Sequence, residues 1–422
     1  MTNVRLGAVL LQAGWLLLAT GLPGGQTLVQ AQEQNTVRIG IPAEPGLVEG
    51  TTQHSDEFIW SQFSQFAAPV PGSQPPRVVF ETWATDADTF SQRPHWPSPG
   101  EPQHFHSSVL ASLSGPPSPI DVTCSPPAGA AVGGFPTAGT PTPCIAEQVQ
   151  RNRPQYDYIV NNHLNTQAGL ADAFANGFKV TMPTTAIAVK GDWIPVQTLL
   201  QWIPELGDVK NVEQLYYTTT SDNVEYGLVS LHVSSRQNPN WVWGTFEHQM
   251  TPGRCDSIGC FDSFGAEDPA VLPRKALNNT QYGPCSKTAA LQDLMTRANL
   301  SKVWQNYCLK GTEVDYAAAD GTPYVLGNSV VEGITGNGTI AASSCIACHA
   351  YASFGPSGAT SNAAKNILPF NPTGSPIAAV LDNSIQFDFM WGVILAPAAQ
   401  SDSPAGQSGS VATPPVQKPA GQ

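Results

Sequence analysis

Apolar residues recur at helical spacing from Cys144 to Asn176: Ile145, Val149, Tyr156, Ile159, Val160 and Leu164, continued by Leu170 and Phe174. Asn176-Gly177 supplies a C-terminal stop for that helical stretch. Residues 178–182 then alternate, and 185–189 form a short β-branched run ending near Asp192-Trp193. Two longer strands are predicted over 226–236 and 241–247, joined through Gln237-Asn238-Pro239-Asn240 as a hairpin or tight reversal. On the first of them Val229, Leu231 and Val233 share one face, and Leu228, Ser230 and His232 the other. His232 therefore sits on the more polar face. A helix is predicted over 289–307, closed by Gly311, and residues 385–397 suit a last buried strand or helix. Residues 32–70 are polar apart from an aromatic patch, Phe58-Ile59-Trp60 to Phe66.

The two ends follow other rules. Arg5 and the apolar run 6–22 read as the start of a secretory signal peptide over residues 1–31, with Val29-Gln30-Ala31 as its cleavage site. Residues 401–422 are Ser, Pro, Gly, Ala and Gln with almost nothing to bury, which reads as a disordered tail. Residues 91–145, rich in Pro, Gly and Ser, read as a long surface excursion. The expected architecture is α+β: a β-rich body with helices over 32–285 and a smaller helical segment over 286–400, with a shared core as one possible arrangement.

Composition narrows the partners. The formal net charge is −13, and no cluster of Lys and Arg offers what nucleic acid or an anionic membrane surface requires. No stretch after the signal is long and apolar enough for stable membrane insertion. Eight cysteines fit an oxidising, exported setting such as a periplasm. Sequence neighbours suggest the pairs Cys124–Cys144, Cys255–Cys260 and Cys285–Cys308, although other connectivities are open.

The remaining two cysteines carry the chemistry. In Cys345-Ile346-Ala347-Cys348-His349 both thiols lie within one helical turn, so both can reach vinyl groups on one edge of a porphyrin. The following imidazole is then placed to ligate the iron. The pattern predicts one covalently attached haem c, tethered by Cys345 and Cys348, with His349 as proximal ligand. A thioredoxin-like CxxC wants a preceding strand in a βαβ setting, and residues 338–344 do not supply one. Met390 is the only methionine after the motif and is the candidate sixth ligand, although Phe387, Phe389 and Trp391 around it equally suit core packing. His248 and Met250 form a rival pair at a strand end. His104 and His106 would share a face in a strand and could hold a metal, but no third ligand is near. There is no GxSxG, HExxH, P-loop or GxGxxG.

Several segments together resemble a family of exported bacterial proteins of the cytochrome c family, with a single CxxCH motif and a large accessory region. They are Phe58-Ile59-Trp60 to Phe66, Val78-Val79-Phe80-Glu81-Thr82-Trp83, Tyr226-Gly227-Leu228-Val229-Ser230-Leu231-His232, and Trp241-Val242-Trp243-Gly244-Thr245-Phe246-Glu247-His248. Trp304-Gln305-Asn306-Tyr307 and Leu326-Gly327-Asn328-Ser329-Val330-Val331-Glu332 lead into the motif. The resemblance implies a single-haem protein and no particular reaction. Similar chains carry a short Asp-Phe-Ser-like stretch where this one has Asp388-Phe389-Met390, which counts against Met390 as a shared ligand. One-electron transfer with a redox partner protein is the expected role. An open sixth iron position would instead suit a peroxidase-like or other haem oxidoreductase, or a small-ligand sensor, so enzymatic turnover stays undecided.

Overall fold

An antiparallel seven-stranded sheet organises the protein in this computed structural model, which describes residues 54–105, 145–274, 280–332, 343–359 and 373–398. The expected signal peptide, the C-terminal tail and the Cys124–Cys144 pair lie outside those residues. The strands, in chain order, are β1 (Ala84–Thr85), β2 (Ala146–Arg151), β3 (Ile187–Pro195), β4 (Thr218–Ser221), β5 (Val224–Ser235) and β6 (Val242–His248). Then come β7 (Cys260–Phe261), β8 (Ala270–Val271), β9 (Tyr307–Glu313), β10 (Ser353–Phe354) and β11 (Ile385–Gln386). The main sheet runs β1-β2-β3-β5-β6-β9, with β4 paired to β5; β7 with β8 and β10 with β11 make separate ribbons. The helices are α1 (Ser55–Phe66), α2 (Asp86–Thr89), α3 (Arg153–Asn161), α4 (Gln167–Ala175), α5 (Val196–Trp202), α6 (Val209–Leu215), α7 (Ala289–Arg297) and α8 (Cys345–His349). The fold is α+β, as expected. Strand β9 joins the sheet beside β6, so residues after 285 build the same core as those before it.

The two faces of the sheet differ in kind. One is apolar: Val189, Trp193, Leu228, Leu231, Val233 and Phe246 pack against Ile59, Trp60 and Phe63 of α1. These helix positions recur at the spacing of one buried stripe, and Trp60 and Phe63 each stand 4.8 Å from the Phe246 ring. Fully burying such a side chain is worth ~1.5–3 kcal/mol, so this face supplies much of the hydrophobic stabilisation. The α1 backbone sits close because Gly244 has no side chain; a Cβ there would lie 2.6 Å from Ile59 Cγ2. The opposite face carries Lys190, Asp192, Ser230, His232, Thr245, Glu247 and Glu313, and the C-terminal segment covers it.

Four expectations change. The helical reading of residues 144–176 holds for α3 and α4, but Ala146–Arg151 is a strand paired to β3. There Ile145 and Val149 fit the period-2 pattern as well as the helical one, and pairing with β3 decided between them. Helix α4 stops at Asn176-Gly177, with Gly177 at φ +63°. Residues 178–182 are not a strand. The helix predicted over 289–307 ends at Arg297, because Asn299 turns left-handed at φ +53° and Tyr307 already opens β9. Strand β5 also carries a bulge where the register shifts between Asp192 and Trp193. Leu228 thereby joins Leu231 and Val233 on the apolar face, while Val229 packs with Ile194 and Leu199 elsewhere.

Disulfides Cys255–Cys260 and Cys285–Cys308 are formed as the spacing suggested. Among the described residues no helix is long and apolar enough to cross a membrane.

Gly244→Val forces Ile59 and α1 away from the sheet and lowers stability by about 1–3 kcal/mol in urea unfolding. His248 is fully buried; its Nε2–H donates to the Leu215 carbonyl at 3.0 Å and its Nδ1 accepts from Met250 N at 3.2 Å. Burial pushes its pKa down to about 3. The unfolded ring takes up a proton below about pH 6.5, so between these values the unfolded chain binds more protons and stability falls as pH falls. His248→Gln is expected to be less stable than the wild type at about pH 7.5, with the gap narrowing towards about pH 4.5 in urea titrations.

Candidate functional site

Helix α8 is short and set in place by β9. Ser344 is its N-cap, accepting from Ala347 N at 3.1 Å, and its hydroxyl donates to Glu313 Oε1 at 2.7 Å. The other Glu313 oxygen accepts from Ile346 N at 3.1 Å. One strand carboxylate therefore fixes both the cap and the first turn. Burial raises the Glu313 pKa to about 7, against the opposing pull of the Ser344, Ile346 and Cys345 hydrogen bonds. Ile346 and Ala347 are fully buried, and Ile346 packs in the core cluster with Trp241, Trp243 and Phe354. Positions i, i+3 and i+4 share one helical face, which brings Cys345, Cys348 and His349 together.

The two thiols are unpaired, whereas Cys255, Cys260, Cys285 and Cys308 are oxidised. Burial, with the nearby carboxylate of Glu332, pushes the Cys348 thiol up to about 12 and the Cys345 thiol well above its ordinary value. A dithiol built for disulfide exchange needs a lowered thiol pKa. This pair has the opposite setting.

His349 is oriented from behind. Its Nδ1–H donates to the Phe389 carbonyl at 2.7 Å, and its ring packs on Trp243 with centroids 4.5 Å apart. Burial, and then the charges of Lys190 and His232, lower its pKa to about 4, so the ring is neutral near pH 7. With the proton held on Nδ1, the lone pair of Nε2 is the one available for a metal. Two unpaired thiols and a neutral imidazole with an anchored Nδ1, on one helical face, make the donor set that a c-type haem requires. Cys345 and Cys348 could tether it, and His349 could ligate its iron.

The Phe389 carbonyl is presented by a strained turn. Asp388 and Phe389 both have positive φ, +44° and +69°. For residues with a Cβ that conformation is costly and persists only when neighbours hold it. Asp388 supplies the hold: Oδ2 accepts from Met182 N at 2.6 Å and Arg236 Nε at 3.1 Å, and Oδ1 accepts from Trp241 Nε1 at 3.2 Å. Arg236 and Trp241 flank the β5–β6 turn, so the hairpin and the turn behind His349 are locked together. Glu313, Asp388 and Trp243 were not singled out by the sequence. The only signal was an acid inside apolar surroundings, as at Asp388 between Phe387 and Phe389.

Met390 is buried, and Gln155 Nε2 approaches its Sδ at 2.7 Å. Its chain position, next to Phe389, puts its backbone on the Nδ1 side of His349. His248 and Met250 lie away from α8, with both nitrogens of His248 engaged. His104 is exposed and pairs with Asp222 at 2.8 Å, and His106 lies outside the described residues. Asp88, His95 and Glu101 are the one group of three potential ligands among the described residues, at the partly exposed surface.

Removing the Asp388 carboxylate leaves the half-buried Arg236 and buried Trp241 donors unmatched. Asp388→Ala is expected to cost ~3–5 kcal/mol in urea unfolding, and Asp388→Asn, which keeps one acceptor, less.

No family model, curated protein or solved structure matches this chain, so its own residues carry the case for what the site does.

Proposed function

We propose that the protein is an exported c-type cytochrome that carries single electrons to or from a redox partner protein. The observation that bears most weight is the His349–Phe389 hydrogen bond beside two unpaired thiols on the same helical face. When bound, haem would supply one-electron chemistry between ferric and ferrous iron. Cys345 and Cys348 would hold it by thioether bonds, and His349 would ligate it through Nε2. Glu313 fixes the helix that carries all three groups, Asp388 fixes the carbonyl that orients the imidazole, and Trp243 limits the tilt of the ring. Buried, anchored groups reorganise little when charge changes, which suits electron transfer. The two disulfides support an oxidising compartment, where attachment of this kind takes place.

The test is expression with a cytochrome c maturation system, followed by haem staining of denatured protein and a pyridine haemochrome spectrum. One haem per chain is expected in the wild type. Cys345→Ala and Cys348→Ala should each lose at least one thioether bond, seen as a shifted haemochrome band, and the double variant should carry no covalent haem. A folded wild type without covalent haem overturns the proposal. A high-spin ferric spectrum that responds to cyanide would move the reading from carrier to haem enzyme or sensor.

A further inference from the structure

The sheet face turned towards α8 holds buried polar groups that neither tether nor proximal ligand uses. Lys190 and His232 are direct partners across β3 and β5, and Thr245 continues their row on β6. Trp243, on which His349 packs, pairs with Ser234, two residues along β5 from His232 on the same face. Trp243 and His232 are therefore diagonal cross-strand neighbours. The same groups reach the motif electrostatically: Lys190 acts on both thiols and on His349, Glu332 on both thiols, and His232 on His349. These side chains therefore lie close to the motif.

His232 stands out among them. Its side chain is 13 % exposed, and its Nε2 is buried without a hydrogen bond. Asp192 Oδ2, at 3.5 Å, is occupied by the Ser230 hydroxyl at 2.6 Å, and Glu332 Oε1 stands 4.0 Å away. An imidazole so placed has no hydrogen bond to surrender on meeting a metal.

Other candidates are committed elsewhere. Among the described histidines, His54, His95, His104 and His163 are exposed, and His248 uses both nitrogens. Met295 belongs to the apolar α1 face, and Met250 packs with the α5–α6 cluster. Met182 packs in the apolar cluster behind the motif with its backbone tied to Asp388, and Met390 adjoins Phe389, whose carbonyl binds the Nδ1 side of His349. A second protein ligand would come from groups near the Nε2 edge of His349.

We infer that His232 is the sixth iron ligand, opposite His349, making this a bis-imidazole centre. The inference rests on the proposed haem attachment at Cys345 and Cys348. Two imidazoles, with the Asp192 and Glu332 carboxylates alongside, favour ferric iron, so the midpoint potential lies below that of a histidine–methionine carrier.

The experiment uses the full chain matured with haem. Electron paramagnetic resonance and near-infrared magnetic circular dichroism of the unmodified ferric protein distinguish bis-imidazole from imidazole–thioether ligation without any substitution. A low-spin bis-imidazole signature is expected. His232→Ala should turn the iron high-spin, and added imidazole should restore the low-spin spectrum. His232→Met should raise the potential, and Met390→Ala should leave the spin state unchanged. A thioether signature, a high-spin wild type, or a low-spin spectrum that survives His232→Ala overturns the inference while the haem reading stands. Absence of covalent haem from the folded wild type overturns both.

Discussion

The hydrogen bond between His349 Nδ1 and the Phe389 carbonyl ties the two halves of the site together. It fixes which ring nitrogen carries the proton and hence which edge of the imidazole can meet a metal. Its acceptor is placed by a turn that would not hold itself, since two successive non-glycine residues there adopt positive φ. Asp388 holds the turn through Arg236 and Trp241, which flank the central hairpin. The orientation of a side chain on α8 is thus set by the hairpin of a sheet whose strands lie far away in sequence.

That sheet divides its labour between its faces. The apolar face, with α1 upon it, stabilises the fold. The other face holds charged groups in pairs: Lys310 with Glu247 at 3.0 Å, Lys190 with Glu147 at 3.6 Å, and Arg151 with Asp86. Buried pairs of this kind are seldom a net gain over apolar packing, because each ion gives up its hydration. Burial opposes the charge on Lys190, yet the carboxylates of Glu147, Asp192 and Glu332 outweigh it and keep its pKa above the ordinary lysine value. A polar interior held at such expense is reasonable where a bound group needs its charge environment set, and unreasonable as a device for stability alone.

The legible parts of the fold are those whose pattern is local: the alternation in 226–236 and 241–247 announces the hairpin, and Cys345 to His349 form the expected short helix. Helix α1 is not among them, since its stripe of Ile59, Trp60, Phe63 and Phe66 reads in sequence only as an aromatic patch. Strand β2 was hidden because its apolar positions satisfy two periodicities, and only pairing with β3 distinguishes them. The bulge at Asp192–Trp193 could not be foreseen from β5 alone, since the extra residue is defined by the partner strand. The assignment of Leu228 and Val229 to faces was reversed for that reason. At the site, the motif was visible and its supports were not: Glu313, Asp388 and Trp243 act through contacts that sequence spacing does not encode.

Cysteine usage gives the last step. Four described cysteines are joined in disulfides, while the closest-spaced pair in the chain stays unjoined. Thiol exchange proceeds through the thiolate, and burial with neighbouring carboxylates disfavours that form at both Cys345 and Cys348. The same surroundings that hinder oxidation leave two protonated thiols side by side on a helix whose next residue is a neutral, oriented imidazole. On the proposed reading this is the state in which the chain would receive its haem. The acids that raise the thiol pKa are then the acids that set the charge around the iron. One buried polar wall would serve first to protect the tethers and afterwards to tune the centre they hold.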